Sequence, residues 1–195
     1  SPECKEWVES RLEKMTLKEK IGQLFIHTVG LMNTDVNRKN IRDAVKEYKV
    51  GGLLFSNGKL VNQVTLTNYA QEMAEIPLMI TFDGEWGLNM RLKEIPAFPR
   101  NRVLGSIEDN ALLYEYGKEV ARQFREIGVH VNFAPVADVD NNPLNPVINT
   151  RSFGGSPDNV AQKVIAYSRG LEEGGVLSVS KHFPGHGDTN VDSHK

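Results

Sequence analysis

The sequence of 195 residues is 39% hydrophobic and 25% charged, the balance of a soluble globular domain rather than of a disordered or fibrous chain. Lysine and arginine number 23 against 25 acidic residues, a formal net charge of −2, so no basic excess exists to neutralise a phosphate backbone and nucleic acid is not an expected partner. No apolar run approaches the roughly 18 residues of a membrane-spanning segment, and no signal peptide opens the sequence, as would also hold after its removal. The single cysteine, Cys4, cannot form an intramolecular disulfide and leaves the compartment open, with the periplasm or cell envelope preferred to the cytoplasm.

Taken in chain order, residues 5–15 read as a helix, and Thr16 with Glu19 has the spacing of a capping box opening a further turn before a first strand at 23–29. Ile41, Val45 and Tyr48 recur at helical spacing, followed by a buried strand at 52–55, a helix over 60–74 and a third strand at 78–82. Ser106 with Asp109 marks the next helix start. Its stripe of Leu113, Tyr116, Val120, Phe124 and Ile127 is closed by Gly128. A fourth strand is expected at 129–136. Ser156, Pro157 and Asp158 supply an N-cap, an N1 proline and a first-turn acid for a helix carrying Val160, Val164, Tyr167 and Leu171, and a fifth strand follows at 176–180.

Strands separated by helices predict a parallel α/β sheet, either doubly wound or a (β/α)8 barrel. Polar residues collect after several strands: Asp83 and Glu85, then Asp138, Asp140 and Arg151, then Lys181 and His182. A doubly wound sheet feeds one crevice, whereas a barrel gathers residues from many strand ends, so the barrel is favoured. No glycine-rich nucleotide-binding fingerprint follows any strand. A whole barrel takes about 250 residues. The expectation is therefore the N-terminal portion of a TIM-like barrel, about five βα units, whose open edges and apolar interior need the missing half or self-association to cover them.

Three of the five histidines, His182, His186 and His194, fall in KHFPGHGDTNVDSHK at the end of the sequence. A solvated loop is one reading. A metal site built from His182, His186, Asp188, Asp192 and His194 is another, weakened by the absence of thiolates and of a single helical face. The third is acid/base chemistry. In an extended loop Asp192 and His194 project to one side, so that the carboxylate can fix one imidazole nitrogen and leave the other to exchange a proton with substrate. Ser193 serves as a spacer, since no nucleophile-elbow motif surrounds it.

KHFPGHGDTNVDSH resembles the signature of glycoside hydrolase family 3, in its β-N-acetylglucosaminidase branch. MTLKEKIGQLF, GGLLF, FDGEWGLNMRL, NFAPVADVD and NTRSFGGSPDNVA extend the resemblance over essentially the whole sequence. It implies a (β/α)8-type barrel and a retaining glycosidase acting on terminal β-linked N-acetylglucosamine in small glycoconjugates such as muropeptides. No cofactor is implied, and the partner is a small carbohydrate. By resemblance His194 is the acid/base and Asp192 orients it, while Asp83, Arg91, Arg151, Lys181 and His182 hold the sugar. The aspartate nucleophile lies beyond residue 195, so residues 1–195 alone are expected to be inactive.

The competing readings are a loop or capping aspartate for Asp83, a surface arginine for Arg91, and a salt bridge to Asp138 or Asp140 for Arg151. Trp86, standing where the family's pattern has glycine, is either a sugar-facing wall or a packed core residue. His186 and Asp188 organise the loop, and His27 and His130 are satisfied core histidines. Phosphorolysis and a non-catalytic sugar-binding module are the alternatives in function. The glycines of the histidine loop and its lack of apolar anchors after Phe183 predict a displaced or poorly ordered His194 without ligand.

Overall fold

The structure is a computed structural model that describes residues 1–193. Its five strands are β1 (Ile26–Leu31), β2 (Gly52–Gly58), β3 (Met79–Phe82), β4 (Val131–Asn132) and β5 (Leu177–Ser178), all parallel and paired in sequence order. Before them lie α1 (Pro2–Lys14) and α2 (Leu17–Gly22), and between them run α3 (Asp35–Arg42), α4 (Leu60–Met73), α5 (Asn101–Leu104), α6 (Asn110–Glu126) and α7 (Pro157–Glu173). Neighbouring strands consecutive in sequence, each joined by a helical crossover, form an arc of a TIM-like barrel.

The two faces of the arc differ. Val29, Leu53, Phe55, Ile80 and Phe82 point towards the helices and join Leu66, Val120, Phe124, Tyr167 and Leu171 in one buried core. On the other face Ile26, Met79 and Leu177 remain exposed, as expected of a barrel interior lined by only part of its strands. α6 and α7 cross at their glycines: a Cβ on Gly170 would lie 2.2 Å from the Tyr114 carbonyl oxygen, and one on Gly117 would lie 2.6 Å from that of Tyr167.

The caps explain where helices begin. Thr16 Oγ1 accepts from the Glu19 amide at 3.3 Å and Glu19 Oε2 accepts from the Thr16 amide at 2.8 Å, the capping box read from the sequence. Ser156 caps α7 and Pro157 opens it. At α6 the expectation is corrected: Asp109 is the cap, accepting from the Ala111 amide at 2.8 Å, while the Ser106 hydroxyl turns back to the Val103 carbonyl at 2.7 Å. The helix expected at 5–15 starts at Pro2, and the one after β1 loosens into a π turn at Asp43–Glu47.

Strands four and five are shorter than their apolar runs. The regular ladder of β4 ends at Asn132, and beyond it single backbone bonds carry the pairing on: Phe133 donates to the Phe82 carbonyl at 2.8 Å, Lys181 to the Pro135 carbonyl at 3.0 Å, and Val136 bridges Lys181, while Pro135 has no N–H to add. The first strand also begins three residues later than expected, at Ile26. Neither His27 nor His130 is in the core, because each faces a partner at the sheet margin. His27 Nε2 lies 3.1 Å from Asn40 Oδ1, and the Ile80 amide donates to His130 Nδ1 at 3.0 Å.

Gly170→Ala is expected to destabilise the protein by about 1–3 kcal/mol, because the α6–α7 crossing leaves no room for the methyl group. A thermal melt checks this. A raised melting temperature, as the helix propensity of alanine alone would give, contradicts the packing account.

Candidate active site

Asp83 is the first residue beyond β3, and its carboxylate accepts from two cations: Arg91 Nη2 on Oδ2 and Lys181 Nζ on Oδ1, each at 2.9 Å. Arg91 also donates through Nε to the Asp83 carbonyl at 3.2 Å and through Nη1 to Asn57 Oδ1 at 3.3 Å. Glu85, two residues further, has no exposed surface. Arg151 grips it with a two-point fork, Nε to Oε2 at 3.0 Å and Nη2 to Oε1 at 2.8 Å, and Lys181 Nζ reaches Oε1 at 3.0 Å. Lys181 thus joins both carboxylates to the end of β5.

Burial opposes ionisation of Glu85, but the Arg151 hydrogen bonds and the Lys181 and Arg151 charges outweigh it and hold the carboxyl below the usual range. Asp83 behaves likewise, with burial overcome by Lys181 and Arg91. Arg151 is in turn pushed up, first by its hydrogen bonds to Glu85. Of these side chains, 23% of Arg151 and 17% of Lys181 remain exposed.

Asp138, whose side chain is fully buried, completes the cluster. Its Oδ2 accepts from His182 Nδ1 at 2.6 Å and from the His182 amide at 3.1 Å, and its Oδ1 accepts from the His186 amide at 2.6 Å. With Nδ1 donating to the carboxylate, His182 Nε2 is the acceptor nitrogen, 3.4 Å from Arg151 Nη2. Arg91, Arg151 and Lys181 pair with Asp83 and Glu85, and His182 pairs with Asp138, so three cations stand with three carboxylates in the cluster.

The loop after His182 is held by polar side chains from the stretch after β4. Asn145 Nδ2 donates to the His186 carbonyl at 2.6 Å, and Asn142 Nδ2 donates to the Asp188 carbonyl at 3.0 Å and to Asn190 Oδ1 at 2.6 Å. His186 continues the chain, with Nδ1 at 2.8 Å from Thr189 Oγ1 and Nε2 at 3.3 Å from Ser193 Oγ. Phe183 is 98% exposed and anchors nothing. The half-buried Asp192 follows this tethered stretch, and His194 lies outside the described residues.

Five of the residues singled out in the sequence, Asp83, Arg91, Arg151, Lys181 and His182, therefore meet in one network at the carboxyl ends of the strands. Arg151 does pair with a carboxylate, but with Glu85 rather than Asp138 or Asp140, and Asp140 pairs with Arg102 instead. Sequence reasoning left Glu85 without a role. The signal was present for Glu85, which is two residues from Asp83 and so projects alongside it where the chain is extended. Trp86 is 7% exposed and the Arg100 guanidinium covers its ring at 3.7 Å, which makes it a packed residue. Among the described residues no group of three or more histidines, cysteines or carboxylates is placed to hold a metal ion.

Because Asp83 and Glu85 are shifted down in the folded protein, the stability they contribute is complete above the ordinary carboxylate range and is lost as pH falls through their folded values. Glu85→Gln is expected to cost about 3–5 kcal/mol at neutral pH by leaving Arg151 and Lys181 poorly matched. The deficit should shrink on acidification below the ordinary glutamate value of 4.5. Melts of both proteins across pH check this, and a deficit independent of pH contradicts it.

Residues 16–195 match the glycosyl hydrolase family 3 N terminal domain. The sequence is 35% identical over 167 residues to beta-hexosaminidase A of Pseudoalteromonas piscicida, covering 79% of this chain and 28% of the relative. Its fold matches that of a family 3 beta-N-acetylglucosaminidase from Paenibacillus sp. str. FPU-7 with a TM-score of 0.81 and 36% identity, over 92% of this chain and 35% of that one. It also matches the beta-glucoside phosphorylase BglX bound to 2FGlc, with a TM-score of 0.90 and 27% identity, over all of this chain and 34% of that one. The chain thus spans about a third of the length of each of these proteins. With the matched span covering all but its first 15 residues, the chain belongs to the glycosyl hydrolase family 3 N-terminal domain family.

Proposed function

We propose that residues 1–195 form the N-terminal part of a single catalytic barrel, and that the whole protein is a retaining glycosidase releasing terminal β-linked N-acetylglucosamine from small glycoconjugates such as muropeptides. The observation that carries this reading is the convergence of Asp83, Arg91, Arg151, Lys181 and His182 in one network at the strand ends. Guanidinium forks, an ammonium and a carboxylate offer the mixture of donors and acceptors that a ring of sugar hydroxyls requires. Balanced charge suits an uncharged ligand. The names of the relatives support N-acetylhexosamine as the sugar.

In this reading the sugar is held by those five residues while His194, oriented by Asp192, protonates the leaving oxygen and then activates water. The nucleophile is an aspartate beyond residue 195. It sits across the scissile centre from the acid/base and gives a glycosyl-enzyme ester that the activated water hydrolyses. No cofactor enters the reaction. The cell envelope or periplasm is the compartment in which muropeptides would be met.

Phosphorolysis is the second reading, favoured by the fold match, over all of this chain and 34% of that one, to a beta-glucoside phosphorylase. A histidine acid/base repels an attacking phosphate less than a carboxylate would.

Release of p-nitrophenol from its β-N-acetylglucosaminide by the whole protein tests the proposal. Turnover is expected, with a loss of about 10²–10⁴ in His194→Ala, and with N-acetylglucosamine as product whether or not phosphate is present. The sugar 1-phosphate as product would select phosphorolysis. An inactive parent, or an unaffected variant, removes the acid/base assignment.

A further inference from the structure

Two functional parts of the molecule meet on one buried carboxylate. Asp138 Oδ2 takes the His182 ring at 2.6 Å and Oδ1 takes the His186 amide at 2.6 Å. His182 Nε2 lies beside Arg151 Nη2, whereas His186 belongs to the loop that leads to Asp192. From His186 the connection runs on through its ring to Thr189 and Ser193, the residue next to Asp192. The loop also lies hard against the backbone beside Asp138: a Cβ on Gly187 would be 1.9 Å from the Val139 carbonyl oxygen. Asn145 holds the same turn from the other side, its Nδ2 donating to the His186 carbonyl at 2.6 Å.

We infer that Asp138 is a positioning residue that couples occupancy of the His182 subsite to the placement of the loop carrying Asp192. The inference rests on the sugar-binding reading above. A sugar hydroxyl donating to His182 Nε2 polarises the ring and strengthens its Nδ1–H bond to Asp138. A carboxylate is rigid and its two oxygens move together, so the constraint passes to the His186 amide and along the tethered loop. Asp138 itself has no exposed side-chain surface. Its effect on turnover therefore runs through the two histidines.

The test is a double-mutant cycle between His182→Ala and Asp138→Asn in the whole protein, read in two ways. Asparagine keeps the shape of the side chain but offers one acceptor oxygen where the carboxylate serves both sides. On p-nitrophenyl β-N-acetylglucosaminide, His182→Ala is expected to raise KM and to lower kcat by about tenfold in the parent, and to change KM alone on the Asp138→Asn background. Independent, multiplying effects on kcat would overturn the coupling.

The second readout needs no turnover and so separates this inference from the proposed function: hydrogen exchange at the His186 amide. His182→Ala should speed that exchange in the parent and add nothing once Asp138 is replaced. Equal acceleration in both backgrounds overturns the proposal. If Asp138→Asn does not fold, His182→Ala alone decides, since an unchanged His186 amide would show that the two sides are not linked. Failure of the sugar-binding reading shows separately, as an absence of both turnover and N-acetylglucosamine binding by the parent.

Discussion

A carboxylate without exposed surface, Glu85, sits between Arg151 and Lys181, and the carboxyl ends of β3, β4 and β5 are arranged about it. A buried charge of this kind costs several kcal/mol unless it is well paired. Here its two cations come from separate loops, so meeting that requirement brings distant stretches of chain together. Asp83 shares Lys181 and adds Arg91, extending the same junction to the start of the segment after β3. The ionic cluster is thus structural at its buried centre and available for chemistry at its rim.

The rest of the arc is built on a different principle. Its helix-facing side is apolar and closely packed, with α6 and α7 brought together at Gly117 and Gly170. That side sets the strands in parallel and fixes where they end. Beyond the strands, apolar anchoring gives way to directed hydrogen bonds: Asn142, Asn145 and Asp138 hold the histidine loop, while Phe183 stays in solvent. Such bonds fix orientation as well as position.

Much of this was legible in the sequence because the signals are local. The capping box at Thr16 and Glu19, the Ser156 and Pro157 start, and the apolar stripes of α6 and α7 depend on neighbours a turn away. Strand lengths were less legible, since the apolar run after Val129 gives no sign that the regular ladder ends at Asn132. The choice of Asp109 over Ser106 as cap turned on which side chain reached an amide first. At the site the residue types after each strand could be read, whereas the pairing of Arg151 with Glu85 could not. Which carboxylate a long arginine meets is decided by loop geometry across 66 positions of sequence. Family membership came from the motifs themselves and is independent of these local errors.

The most direct test is a structure of the whole protein with N-acetylglucosamine bound. The account predicts the pyranose in the cleft at the ends of β3 and β5, with its hydroxyls hydrogen-bonded to Asp83, Arg91, Arg151, Lys181 and His182 while Glu85 and Asp138 keep their present partners. A sugar seated elsewhere, with these side chains still satisfied only by one another, would show that the cluster is an ionic brace and would contradict the account.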